Sequence, residues 1–375
     1  MQKLSGISGL RGIIALIIVI YHLAQTRLIV NLASWDWALY QFMNMFPVVV
    51  AVFFILTGLL RSLGYWGHIL HGEKKPDTRK VIIDRWWRIA PAYYVTLLVS
   101  FAWGIYLWYS GAPMIRGEGG LVSELISLVS GFTFLNWISP STFFPTAVNW
   151  PLWFIGYDMM GYVFTIFMMI WLTRIHRKYI YGSIIAYICI FIWLHQVWIS
   201  LPWTPWEGIV SIWFPYYSPF IFALYSIMGI VIGWLITRYR DMSQSLVWDY
   251  IFIISIVSIF SYLWIIRWAS DLAYSYPMSP YRFPLVPWLW AIAIYALIYS
   301  RYVGVLMDNR LFTWLAGISY SLYLWHGLVI SILLTTIFHY ASTSFVEWSI
   351  FTFTTMVISL SIATLSMRSL ENIRK

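Results

Sequence analysis

Charge is what this chain has least of. Only 10% of its 375 residues are Asp, Glu, Lys or Arg, where a soluble domain of that length carries roughly a quarter. Carboxylates are scarcer than bases, 14 against 23. The single cysteine, Cys189, lies in an apolar run, so no intramolecular disulfide forms and no redox compartment is implied. No two histidines or carboxylates within an apolar run have metal-ligand spacing, so no metal is expected. A nucleophile elbow, a Walker loop and a dinucleotide fingerprint are all missing. Neither an internal repeat nor a low-complexity tract occurs, which weighs against a transporter built from inverted halves.

What is present is apolar and aromatic. Hydrophobic residues make up 61% and aromatics 20%, with 25 Trp and 27 Tyr, and mean hydropathy is +0.76. Such a composition is that of an integral membrane protein, with aromatics suited to interfacial belts and lined cavities. Ten apolar stretches are long enough to cross a bilayer. They centre on 10–28, 44–63, 89–110, 151–172, 179–199, 216–236, 247–267, 285–300, 313–337 and 347–367. The eighth is short and follows Pro277, Pro280, Pro284 and Pro287. Residues 1–26 are superficially like a signal peptide, but the run is too long, lacks a small-residue cleavage site and contains a histidine.

With both termini on the cytoplasmic side, 18 of the 23 basic residues fall inside. Arg27, Arg116, Arg267 and Arg282 lie outside and Arg11 lies within the first span. The positive-inside rule therefore fixes the orientation, and the net charge of +9 needs no nucleic-acid partner. The expected fold is all-α: one polytopic membrane bundle of about ten transmembrane helices over 1–375, with no appended soluble domain. The longest outer segment, 111–150, is expected to hold a short helix at Leu121–Ser130.

Ionisable residues in such spans are expensive and mark functional sites. The stretch from Leu10 to Leu28 carries Arg11 and His22, eleven residues apart. Eleven steps of 100° return to nearly the same face, roughly 16 Å further along the axis, so both side chains share one stripe. Arg85 and Arg88 in DRWWRIAP are neighbours on a helix face, and two forked guanidiniums at a membrane mouth suit phosphate. Pro91 is expected in the first turn of that span, where a missing N–H costs little. Thr57-Gly58 is read as a close-packing pair. In the fourth span Asp158 and Tyr162 are i, i+4 neighbours, whereas Trp153 and Asp158 do not share a face. An intramembrane aspartate must be paired or cavity-facing. Ser319, Tyr320, Tyr323 and His326 crowd the ninth span, with His326 at a depth like that of His22. The two imidazoles are expected to face one cavity within about 12 Å, an allowance scaled to helix packing distances. His68, His71, His176, His195 and His339 are read as solvated or interfacial.

Taken together these motifs resemble the membrane-bound acyltransferase-3 family of bacterial multi-pass enzymes, over nearly the whole chain. The elements are LRGIIALIIVIYH, FFILTG where the family shows FFxLSG, RWWRIAP for R-x-x-R-x-x-P, Trp153–Asp158–Tyr162 for W-x4-E-x3-Y, and ISYSLYLWH. Asp158 departs from the family's glutamate. The chain stops soon after its tenth span, whereas some relatives append an extracytoplasmic hydrolase-like domain, so transfer is expected without one.

The resemblance implies O-acylation from a cytoplasmic acyl-CoA, acetyl by family precedent. The acceptor is a hydroxyl of an exported or surface carbohydrate, such as O-antigen, capsule or a lipid-linked glycan. It further implies a multi-pass protein of the plasma (inner) membrane. On this reading Arg85, Arg88, Arg11 and Trp153 bind the donor and His22 is the general base. Tyr320 or His326 supports the oxyanion or orients His22, and Asp158 completes the site. Direct attack and an acyl-histidine intermediate both remain open. The competing class is a transporter or flippase using buried Arg, His and Asp as a relay.

Overall fold

A computed structural model describes residues 4–27, 35–111, 120–203, 214–268, 280–338 and 344–371. Arg116 and His339 lie outside them. The described residues are mostly helical, without strands beyond one isolated bridge from Ser245 to Ser300.

The helices run in chain order as α1 (Ile7–Ala24), α2 (Trp35–Met43), α3 (Val50–His71), α4 (Thr78–Tyr109), α5 (Gly120–Phe132), α6 (Trp153–Leu172) and α7 (Ile180–Ser200). There follow α8 (Pro219–Arg238), α9 (Leu246–Trp268), α10 (Leu285–Tyr299), α11 (Val303–Met307), α12 (Arg310–Thr336) and α13 (Phe345–Ser366), closed by a π turn at Met367–Glu371. Among the described residues nine helical stretches are long and apolar enough to span a membrane. The eighth expected span, 285–300, is α10, only 15 residues long. The short helix expected at Leu121–Ser130 is α5.

Glycines at the contacts let the backbones touch. A Cβ on Gly58 of α3 would stand 1.9 Å from the Ser226 carbonyl oxygen, and one on Gly229 of α8 would stand 1.9 Å from that of Ile55. Gly233, four residues after Gly229, faces Ser62 and Trp66, completing a small-xxx-small face. α1 packs the same way: a Cβ on Gly9 would meet the Met307 carbonyl of α11 at 1.8 Å, and one on Gly12 the Ala316 amide of α12 at 2.7 Å. Apolar side chains gain little by burial against lipid tails, so such close approach is what selects these pairs. By contrast, only 11% of the α7 span is buried, which places it at the periphery.

α4 departs from expectation. It starts at Thr78, where Asp77 accepts a hydrogen bond from the Lys80 amide at 3.2 Å. Pro91 is therefore interior to a long helix rather than in its first turn, and it removes one i to i−4 bond there. The helix begins early because the cap lies in the charged linker, ahead of the apolar run.

Residues 133–152 fold back into the bundle as irregular chain. Asn136 and Asn149 are both fully buried there. Asn136 Nδ2 donates to the carbonyls of Phe143 and Trp153, each at 3.0 Å. Asn149 Nδ2 donates to Ser100 Oγ at 3.1 Å and to the Leu324 carbonyl at 3.0 Å. Irregular backbone at membrane depth persists where protein surrounds it and satisfies its polar groups.

Candidate active site

The site has two parts on a common pair of helices, α1 and α12. The first is a cluster of arginines. Arg11 of α1 lies within electrostatic reach of Arg85, Asp158, Arg61 and Glu371, and Arg88 within reach of Arg85, Arg11, Arg61 and Glu371. Asp158 ties the cluster together: it accepts from Thr57 Oγ1 at 3.0 Å and forms a tight ion pair with Arg85 Nη2. One carboxylate thus joins α3, α4 and α6. The guanidiniums of Arg61 and Arg85 also sit 5.3 and 5.4 Å from the Tyr162 ring centroid, and the Tyr162 hydroxyl donates to the Val81 carbonyl at 2.7 Å. Glu371, in the turn after α13, accepts a short hydrogen bond from Ser321 of α12.

Arg85 is held by Asp158 through one Nη, where its spacing with Arg88 had suggested two phosphate ligands alike, because an ionised group at membrane depth takes a counter-charge. Arg11, Arg61 and Arg88 form no ion pair among the described residues. The cluster therefore holds positive charge beyond what Asp158 and Glu371 neutralise. Tyr320 belongs to this part too. Its hydroxyl donates to the Ile89 carbonyl at 2.8 Å, about 9 Å along α12 from His326, so it is not placed to orient His22. Trp153, the first residue of α6 and about 8 Å along it from Asp158, stacks on Phe143 with centroids 5.3 Å apart.

The second part is the histidine pair. The His22 and His326 rings lie 5.2 Å apart, tilted by 32°, well inside the separation expected of them. His326 is fully buried and His22 is 8% exposed. His326 Nδ1 lies 2.7 Å from the Tyr323 carbonyl and 3.1 Å from that of Leu322. A carbonyl only accepts, so Nδ1 carries the proton and Nε2 keeps its lone pair, buried and without a partner. His22 Nδ1 has two neighbours, Gln25 Oε1 at 3.0 Å and Trp150 Nε1 at 3.3 Å. They demand opposite tautomers, since an indole nitrogen only donates. Gln25 Nε2 donates to the Tyr21 hydroxyl at 2.7 Å, which turns the amide oxygen toward the ring. The shorter contact favours Nδ1–H on His22, with Nε2 as the nitrogen left to accept. Two anchored imidazoles present basic nitrogens inside the bundle.

Sequence reasoning missed Arg61, Thr57, Glu371 and Trp150. Arg61 follows Thr57 by four residues, a spacing that places both on one face and so carried a signal. Trp150 and Glu371 arrive through tertiary folding and carried none. His195 corrects a reading: it is buried at 4% exposure, with Nδ1 2.6 Å from Ser218 Oγ, because α7 and α8 meet beyond its last turns. His71 and His176 are exposed and His68 is half-buried. Among the described residues no group of His, Cys, Asp or Glu could hold a metal.

Apolar spanning helices around a partly buried arginine cluster and a buried histidine pair define a multi-pass membrane protein with an internal polar site. The chain belongs to the acyltransferase-3 family, whose model, described as an acyltransferase domain, matches residues 4–364. It is a membrane O-acyltransferase, which sets aside the transporter alternative. Neither the curated proteins nor the solved structures contain a match to it.

Proposed function

We propose that this enzyme moves an acetyl group from cytoplasmic acetyl-CoA to a hydroxyl of an exported or surface carbohydrate, in the plasma (inner) membrane. O-antigen, capsule or lipid-linked glycan is the acceptor class. The observation that carries the reading is the His22–His326 pair, displaced from the arginine cluster along α1 by roughly 16 Å. A donor with phosphates at one end and a thioester at the other fits that separation. Arg88, Arg11 and Arg61 take the phosphates, and Asp158 acts by holding Arg85 rather than by touching the donor.

His22 Nε2 removes the proton as the acceptor oxygen attacks the thioester carbonyl. The new C–O bond forms, the C–S bond breaks, and the departing thiolate takes the proton back from the imidazole. The products are the ester and the free thiol. His326, whose ring lies 5.2 Å from that of His22, positions His22 or the acceptor hydroxyl. Sequestered from bulk water, the thioester is protected from hydrolysis.

Purified protein in nanodiscs, given acetyl-labelled acetyl-CoA and a lipid-linked glycan, should yield acetylated glycan. Mass spectrometry of surface glycans from cells with and without the intact protein should show the same acetyl difference. Glycans of identical mass in both would refute the carbohydrate acceptor.

A further inference from the structure

A second basic site lies apart from the arginine cluster. Where α3 ends, α7 begins and α8 ends, a cavity of about 600 Å³ is lined by the cations Arg177, Lys178 and Arg238 and by Leu70, Ile180 and Trp234. No lining residue is acidic. The neighbouring Glu73 is engaged elsewhere, 3.7 Å from Arg240. None of the arginines around Asp158 contributes to it.

The walls are preorganised. The Arg238 guanidinium sits 5.8 Å from the ring centroids of both Trp234 and Tyr239. Tyr181 meets Trp234 edge-on, with centroids 5.5 Å apart. His71 Nε2 donates to the Thr237 carbonyl at 3.0 Å, so the last turn of α3 is fastened to α8. A guanidinium held over aromatic faces loses less freedom on gripping an anion than a free surface arginine.

We propose that this cavity binds the phosphate headgroup of an anionic membrane lipid. Arg177, Lys178 and Arg238 hold the phosphate oxygens, with the guanidinium fork supplying paired donors. Leu70, Ile180 and the Trp234 face receive the first methylenes of the acyl chains. A phosphate could equally come from a soluble molecule. The apolar half of the lining, the position at the ends of three apolar helices and the interfacial Trp and Tyr select the lipid. Three cations without an ion pair among the described residues also match the attraction of juxtamembrane bases to anionic leaflets. Because α7 is otherwise peripheral, a lipid bridging Arg177 and Lys178 to Arg238 fastens α7 to α8.

The test is native mass spectrometry of the full-length protein in detergent, titrated with phosphatidylglycerol or phosphatidylcholine of matched chains. Wild type should retain phosphatidylglycerol preferentially. The triple variant Arg177→Gln, Lys178→Gln, Arg238→Gln should lose that preference by about fivefold per charge removed. Arg174→Gln, a nearby exposed arginine outside the cavity, should leave it intact. All four positions are exposed, so folding is retained, and circular dichroism checks it. Equal retention of both lipids by wild type overturns the proposal, as does unchanged phosphatidylglycerol retention in the triple variant. A third arm adds inorganic phosphate or acetyl-CoA. If either displaces phosphatidylglycerol from wild type at micromolar levels, the site serves a soluble phosphate and the lipid assignment falls. This outcome is independent of acyl transfer, which is assayed separately.

Discussion

At His22 a ring nitrogen free to accept, a buried second imidazole from α12 and partial access coincide. A general base of this kind contributes typically 10²–10⁴-fold to rate. His22→Ala should therefore reduce acetyl transfer by about that factor or more while leaving protein in the membrane, as measured by product formation per mole of purified enzyme. Near-normal turnover in that variant would remove His22 from the chemistry. The arginines divide differently from their spacing. Arg85 and Asp158 are both about 10% exposed as side chains, and removing one partner of a buried pair costs on the order of 3–5 kcal/mol. Asp158→Asn should lower thermal stability and Arg85→Lys should do so less severely, since lysine keeps the charge. Arg88→Lys should leave stability unchanged and weaken acyl-CoA binding, measured by titration, because only the fork is lost. If Arg85→Lys and Arg88→Lys behaved alike in both assays, this division of roles would be wrong.

Among the helices, hydrophobic length alone located each spanning element, because a bilayer requires about 20 apolar residues whatever they pack against. The Arg11–His22 stripe was equally legible, being a local property of one helix. Partners were not. That α3 packs on α8 follows from Gly58, Gly229 and Gly233, whose meaning as a contact depends on which helix arrives opposite. That Trp150 reaches His22 depends on the irregular segment 133–152, whose asparagines find their carbonyls only in the assembled bundle. Tyr320 was assigned to the histidines from its place in ISYSLYLWH, yet six residues of helix carry it to the arginines instead. The glycine contact gives a sharp expectation at this scale. A methyl at Gly229 would stand 1.9 Å from a backbone oxygen, and overpacking of this sort costs typically about 1–3 kcal/mol. Gly229→Ala should lower the melting temperature in detergent markedly, whereas Gly182→Ala, with open space around it, should not. A melting temperature for Gly229→Ala equal to that of wild type would mean α3 and α8 do not approach so closely.

For the molecule as a whole, the arginines and the histidines stand at different depths, so the two substrates need not arrive from the same side. The basic linkers flank the arginine end of α1, α4 and α12, and by the positive-inside rule that end faces the cytoplasm. Acetyl-CoA is too polar to cross a bilayer unaided, and its phosphates match only that end. His22 lies two residues short of the end of α1 that points toward the other face, close to Arg27, which pairs with Asp36 at 2.7 Å. Sealed vesicles therefore separate the two entrances. Inverted vesicles, with the basic face outward, should acetylate an acceptor trapped in the lumen when acetyl-CoA is added outside. Right-side-out vesicles should stay inactive with external acetyl-CoA until they are permeabilised, after which both preparations should converge. Equal activity of the two intact preparations would show that donor and acceptor share one entrance, and the path from Arg11 to His22 would then not be the route of the acyl group.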